Sequence, residues 1–441
     1  MNKKITLLLI IMGILVFAPC FAVEKNDLNV EFFARFNDNY LPQYVNEAID
    51  NNHNAKQATI RVEEYRQSVK SQFANELPSF SVAASYLGIH SPKFNPNLSV
   101  SKNAFVLPFI ANYEADFLLK NRDKTKSVQK TYEMSKFAEQ SAYLALLSDV
   151  ATVYTNILEY DKLINEQEKI VNNYNQILND DSKKLARGVI NTTELNNSKT
   201  NVEQANITLE NLIKQREVLL MQFAVLIGRS TDSANSIERG SIDNFEYNAD
   251  IPNEIGSDVI FSRPDVKKAE MALEKAKIDI RVARKEFLPR FNITGIWAFN
   301  TIAPGTFFSW ESSLAALLAG ATQDIFAGGR KIANLKYQKA KYEELFEQYR
   351  QIDLEAVKEV NTSLCIIKHD TEIENKTNEK LLLETKNLNN ADKMLNRGVI
   401  SKTQHINSEN MYINKDMDLT KAKTRRLVNY YTLYKTVGGK L

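Results

Sequence analysis

The sequence predicts a mainly α protein with a small transmembrane β-barrel, internally duplicated, and three observations carry that reading. Turn formers are scarce: Gly 14 and Pro 10 in 441 residues, about 3% and 2% against usual values of roughly 7% and 5%. Residues 330–397, 109–187, 189–227 and 399–437 contain neither; at ~1.5 Å per residue the first run alone makes a helix of roughly 100 Å. Second, Leu185-Ala-Arg-Gly-Val-Ile190 returns as Leu395-Asn-Arg-Gly-Val-Ile400, an offset of 210. Third, stretches of ten or so residues alternate greasy and polar side chains after each of two Leu-Pro pairs, Leu77-Pro78 and Leu288-Pro289.

In chain order, Asn2-Lys3-Lys4 and the apolar run Ile5 to Phe17 come first. That run is too short to span a bilayer but suits a signal-peptide core. Cys20-Phe21-Ala22 offers the small residues a signal peptidase reads, so 1–22 is the signal peptide and Val23 the mature start. A competing reading makes Cys20 an acylated lipoprotein cysteine, although Pro19 stands where a small residue is wanted. Cys365 falls in a helical stretch and is expected to be a small buried hydrophobe, which leaves no internal disulfide. Residues 23–232 form a lead and the first repeat, 233–262 a polar connector with Pro252 and Gly256, and 263–441 the second repeat.

Each repeat reads as helix, strand, loop, strand, long helix, turn, helix. The leading helices cover about 54–77 and 264–287. In the first strand Phe80, Val82, Ala84 and Tyr86 alternate with Ser79, Ser81, Ala83 and Ser85. Its return strand carries Phe105, Leu107, Phe109, Ala111 and Tyr113, with Asn112, Glu114 and Asp116 opposite; Pro108 is awkward in a ladder. The second copy keeps the phase with Phe291, Ile293, Gly295, Trp297 and Phe299, while strand four, about 307–324, alternates poorly. Period two with one greasy face fits a membrane barrel, and Tyr86, Trp297 and Trp310 sit where an aromatic girdle belongs. Four strands cannot close a barrel and open edges are forbidden in lipid, so an oligomer is required; three chains supply twelve strands. Long helices follow at 120–187 and 330–397. Phe137, Leu144, Ala151 and Leu158 recur every seven residues with Leu147 and Tyr154 between, which is coiled-coil spacing. The leading and last helices of a repeat together nearly match the long one, so they are expected to stack end to end beside it.

Several motifs then fall into one pattern. Ser262-Arg-Pro-Asp-Val266, Phe287-Leu-Pro289, Tyr113-Glu-Ala-Asp-Phe-Leu-Leu-Lys-Asn-Arg122, Phe326-Ala-Gly-Gly-Arg330 and Leu433-Tyr-Lys-Thr-Val-Gly-Gly439, in this order and spacing, resemble the outer membrane efflux protein (TolC-like) family over about 40–439. The resemblance implies a homotrimeric α-barrel/β-barrel channel in the bacterial outer membrane, with a long periplasmic extension. It also implies partners: outer membrane lipid, a periplasmic adaptor (membrane fusion) protein and an inner-membrane pump. The Arg-Pro-Asp-Val element and the Gly-Gly ending resemble the drug-efflux branch served by resistance–nodulation–division pumps.

Arg187, Gly188, Val189 and Ile190, with Arg397, Gly398, Val399 and Ile400, are the breaks between long helices, each expected to be an αL cap at glycine. The resemblance makes them the periplasmic tips that an adaptor grips. It also places aspartates six and nine residues past the second tip glycine as an aperture; here those positions hold Gln404 and Asn407, and in the first repeat Glu194 and Asn197. Glu114, Asp116 and Asp324 fall on the expected polar, lumen-facing side of the barrel or at its junction with the helices. Arg263 and Asp265 are expected to open a helix around Pro264.

His53, His90, His369 and His405 are scattered without metal-ligand spacing, and no phosphate-cradling loop or nucleophile elbow is present. No enzyme and no cofactor are expected, so energy for transport comes from a partner. A net charge of +2, from 56 basic and 54 acidic residues, argues against nucleic acid as the partner. The leading function is an export channel for toxic small molecules. Its alternatives are the outer-membrane duct of a type I protein secretion system and a non-channel coiled-coil envelope tether.

Overall fold

A computed structural model describes residues 28–88, 103–252, 254–301 and 308–441. The expected signal peptide, Cys20 and His90 lie outside the described residues. The helices are α1 Glu31–Ala34, α2 Leu41–Asn51, α3 His53–Phe73, α4 Lys120–Ala186, α5 Thr192–Leu226, α6 Ser257–Phe261, α7 Pro264–Lys285, α8 Arg330–Asn396 and α9 Lys402–Thr436. The strands are β1 Ser79–Val82, β2 Ser85–Gly88, β3 Asn103–Ala115, β4 Arg290–Thr301 and β5 Ser313–Thr322. Both repeats therefore carry a 67-residue helix followed by a 35-residue one. The chain divides into two compact units, a sheet unit of 64–138 and 264–355 and a helical unit of the remaining described residues.

In the sheet unit the strand order is β1-β3-β4-β5, with β2 also on β3. β1 and β2 pair consecutive stretches of β3 in one continuous register, from Ser79↔Asn112 to Gly88↔Asn103. The expected single strand is thus broken at Ala83 and Ala84, and Pro108 is the reason. Its carbonyl accepts from Ala83 N at 3.1 Å, but with no N–H it returns nothing on that side. On its other side β3 keeps an unbroken register with β4, Pro108 facing Ala298. The awkward proline thus loosens only the β1–β2 side. Strand four is shorter than expected: Trp310–Ser312 form a 3₁₀ turn and β5 starts at Ser313. The first leading helix likewise ends at Phe73 and finishes in a 3₁₀ turn, Ala74–Glu76.

The register puts the phased aromatic residues of β1 to β4 on one face, whereas β5 divides its leucines, Leu317 opposite Gly295 on that face and Leu314 and Leu318 opposite Ala298 and Thr294 on the other. Val82 lies opposite Phe109, which lies opposite Trp297; Tyr86 lies opposite Phe105. Their rings touch, with centroids 5.0 Å apart for Tyr86 and Phe105 and 6.2 Å for Phe109 and Trp297. The opposite face carries Ser79, Ser81, Asn112, Glu114, Asn292 and Thr294, and Thr294 Oγ1 donates to Asn112 Oδ1 at 3.0 Å.

The helical unit has an aromatic core. Phe32, Phe33, Phe36, Tyr154, Phe223, Phe245, Tyr431 and Tyr434 are all fully buried, and Phe32 stacks on Tyr434 with centroids 4.7 Å apart. The heptad residues Leu144, Leu147, Ala151, Tyr154 and Leu158 of α4 are buried as their spacing predicts, and Phe137 is half-buried. Asn29 ties the lead to the far end of the sequence, its Nδ2 donating to the carbonyls of Gly439 and Leu441 at 3.0 and 2.9 Å.

The expected end-to-end stacking occurs in the first repeat through one side chain. Asn52 Nδ2 donates to Leu226 O, the last residue of α5, at 2.8 Å. Its Oδ1 accepts from Asn54 N and Ala55 N at 2.9 and 3.0 Å, capping α3. One amide thus satisfies orphan groups at the C-terminus of one helix and the N-terminus of the next.

One expectation is corrected and another is extended. Cys365 is exposed rather than a buried hydrophobe, because α8 buries a different stripe, Ala356, Val360, Ser363 and Ile367. Arg263 does more than precede a helix: it is buried, with Nη2 donating to Glu359 at 2.7 Å and Nη1 to Ala356 O at 3.4 Å, so it joins the start of α7 to α8.

Candidate functional site

The two tip turns have the same construction. Each long helix ends in a glycine with positive φ, +71° at Gly188 and +69° at Gly398. Gly188 N and Val189 N donate back to Leu185 O and Lys184 O, each at 2.9 Å; Gly398 and Val399 do the same to Leu395 O and Met394 O. This is the Schellman arrangement, and glycine supplies the left-handed residue it needs. Beyond each turn an N-cap starts the next helix. Glu194 N donates to Asn191 Oδ1 at 2.9 Å while Asn191 N donates to Glu194 Oε2 at 3.1 Å. Gln404 N donates to Ser401 Oγ at 3.2 Å and Ser401 N to Gln404 Oε1 at 2.9 Å. Both are capping boxes. Glu194 and Gln404, expected at an aperture, hold their own helix starts; the Asn-x-x-Glu and Ser-x-x-Gln spacing is the local signal that carries this role. Asn197 and Asn407 are exposed.

The two turns lie at the same end of the helical unit. Lys402 reaches Asp180 of the other repeat at 3.7 Å, and about two helical turns further in, Asn173 Nδ2 donates to Asn410 Oδ1 at 2.8 Å. Ser198 Oγ donates to Asp181 at 2.6 Å, and His405 pairs with Asp392 across the second turn. Val189 and Val399 project free, 69% and 63% exposed; Arg187 and Arg397 are also exposed, while Ile190 and Ile400 are half-buried. Each turn thus exposes one valine beside one arginine.

The strand-to-helix junction in the sheet unit is an ionic lattice. Asp116 caps α4, accepting from Lys120 N at 2.7 Å and Arg122 N at 2.9 Å. Asp116, expected as lumen lining, therefore has a structural task. Glu114 pairs with Lys120 at 2.8 Å and Asp324 with Lys331 at 3.2 Å. Asp123 sits between Lys285 at 2.7 Å and Arg281 at 3.2 Å. Burial pushes its carboxyl up, but the bonds from Lys285 and Arg281 outweigh that and hold it below the usual carboxylate range. Of the expected girdle, Tyr86 and Trp297 stand exposed on the greasy face, and Trp310 stands 80% exposed on the turn before β5. Among the described residues no group of three or more His, Cys, Asp or Glu is placed to hold a metal ion.

The outer membrane efflux protein family model matches this chain twice, over residues 44–229 and again over 256–439. The chain belongs to the outer membrane efflux protein family. Membership places it in the bacterial outer membrane with a long periplasmic helical extension. It is 25% identical over 417 residues to outer membrane protein OprJ of Pseudomonas aeruginosa, covering 91% of this chain and 84% of that one. It is also 25% identical over 418 residues to the cation efflux system protein CusC of Escherichia coli, covering 92% and 87%. In fold it is similar to the Campylobacter jejuni CmeC outer membrane channel, with a TM-score of 0.83 at 20% identity over 91% of this chain and 86% of that one.

Proposed function

We propose that this protein is the outer-membrane channel of a tripartite efflux pump: a homotrimer whose twelve strands close one barrel, conducting toxic small molecules passively from a periplasmic adaptor and an inner-membrane pump. The observation that carries the reading is the sheet. Among the described residues β1/β2 and β5 each pair on one side only, while Phe80, Val82, Leu314 and Leu317 stand more than half exposed. A greasy sheet with two unpaired edges is stable in lipid only if other copies complete it. The tips supply the adaptor contact through Val189 and Val399, and Tyr86, Trp297 and Trp310 form the interfacial girdle. Drugs are the proposed cargo, through a resistance–nodulation–division pump; since CusC is named for cation efflux, cargo is the part to test first.

The experiment is a deletion strain complemented with wild type or with Val189→Asp/Val399→Asp. Drug hypersensitivity rescued only by the wild type, with the double variant still trimeric in the outer membrane, supports channel and tips together. Sensitivity to metal cations alone reassigns the cargo, and loss of a secreted protein instead reassigns the duct to type I secretion. A monodisperse monomer in detergent with full helix content removes the barrel.

A further inference from the structure

At the foot of the sheet lies a cleft of about 450 Å³ whose charge differs from the near-neutral balance of the whole chain. Its walls are the first turns of α4 and α8, the residue after α7 and the first residue of β4. Five of its lining side chains are basic. Lys120 and Lys331 are matched by Glu114 and Asp324. Among the described residues, Lys124, Arg290 and Arg330 have no ion-pair partner. The remaining carboxylate of the wall, Glu286, accepts from Asn334 Nδ2 at 3.1 Å. The surplus is therefore positive and concave, and it rests on side chains whose neighbours are already satisfied. Arg290 and Arg330 line the same cleft as Asp324 and Lys331, and Lys331, then the two arginines, draw the Asp324 carboxyl below its ordinary range.

The register says from which side the cleft is reached. Phe291 belongs to the greasy face, so its neighbour Arg290 belongs to the other, with Asn292 and with Glu114, which is paired to Asn292. The cations thus open on the polar face, toward water, and away from the face that meets lipid.

We propose that this cleft binds solutes carrying two or more negative charges on oxygen, of the phosphate or polycarboxylate class. On the trimeric channel reading, on which only this second part rests, its three copies form an anion-attracting collar at the foot of the barrel. Lysine and arginine together suit such a ligand, since the guanidinium forks match planar or tetrahedral oxyanions and lysine adds a point charge. The collar would raise the local concentration of anionic cargo before the barrel is entered.

The test uses the full-length protein in neutral detergent, titrated calorimetrically with pyrophosphate at constant ionic strength, beside Arg290→Gln/Arg330→Gln. Wild type is expected to bind pyrophosphate and the double variant to lose at least tenfold in affinity, with unchanged circular dichroism. Equal binding by the two forms, or none by either, overturns the site. Micelles doped with phosphatidylglycerol form the other arm: binding of that headgroup without pyrophosphate binding overturns the aqueous ligand in favour of lipid. In planar bilayers under a potassium chloride gradient, the variant's reversal potential is expected to move toward cation selectivity. Pyrophosphate binding by a protein that forms no pores retires the channel and keeps the site; pores without binding do the reverse.

Discussion

Gly188 and Gly228 close helices in the same left-handed conformation, φ +71° and +80°, yet replacing each with alanine is expected to have different consequences. A Cβ at Gly188 meets nothing within 4 Å, so Gly188→Ala carries only the conformational cost, about 1 kcal/mol. A Cβ at Gly228 would stand 2.7 Å from the Cβ and carbonyl oxygen of Asn51 and 2.8 Å from its carbonyl carbon. Those are mostly backbone atoms, one residue before the amide that splices α5 to α3, and they cannot retreat without straining its three hydrogen bonds. Overpacking of this kind adds ~1–3 kcal/mol, for a total of about 2–4 kcal/mol. Thermal unfolding of the two purified variants, followed by circular dichroism in one detergent, ranks them. Hydrogen exchange at residues 51–55 and 223–229 locates the damage. Equal midpoints for Gly188→Ala and Gly228→Ala, with equal exchange at the splice, would refute the close approach.

Asn52→Ala removes both halves of the splice at once and should cost about 1–3 kcal/mol, with exchange rising at both helix ends; a rise at α3 alone would mean that the bond to Leu226 contributes nothing. Asp123 has a lowered folded-state pKa, so its stabilisation is present above the unfolded value of about 3.9 and is lost as pH falls through the folded one. Asp123→Asn should therefore be less stable at pH 7 yet flatter than wild type on acidification, and parallel profiles would sink that assignment. Gln404→Asp with Asn407→Asp should introduce block by trivalent cations in single-channel recordings if these positions face the aperture; an unblocked double variant leaves Gln404 only its capping role.

The long elements were legible because their signals are redundant. The helix ends at Gly188 and Gly398 and the heptads around Leu144 and Leu158 each follow from local chemistry that nothing in the tertiary structure opposes. The greasy strand phase was equally plain, since Phe80 and Phe291 follow Leu-Pro pairs at matching positions. What escaped depended on partners remote in sequence. Arg263 reads as a helix opener until Glu359 is placed beside it, and Asp116 reads as lining until its helix start turns back under it. Asn52 is one asparagine among many, and only the neighbouring end of α5 gives it a second role. Glu194 and Gln404 are the exception: their capping boxes were local and readable, but counting from the tip glycine drew attention to a different role.

The bonds from Asn29 to Gly439 and Leu441 span 410 and 412 positions of sequence, and this fixes an order of events during biogenesis. Phe32, Phe33 and Phe36 emerge early from export, yet their burial requires Tyr431 and Tyr434, which arrive last. At ~5–20 residues per second of synthesis, those aromatic rings wait about 20–80 s without their partners. Contacts of such extreme separation close slowly even after the chain is complete. A greasy segment left open that long exposes surface that aggregates unless it is shielded.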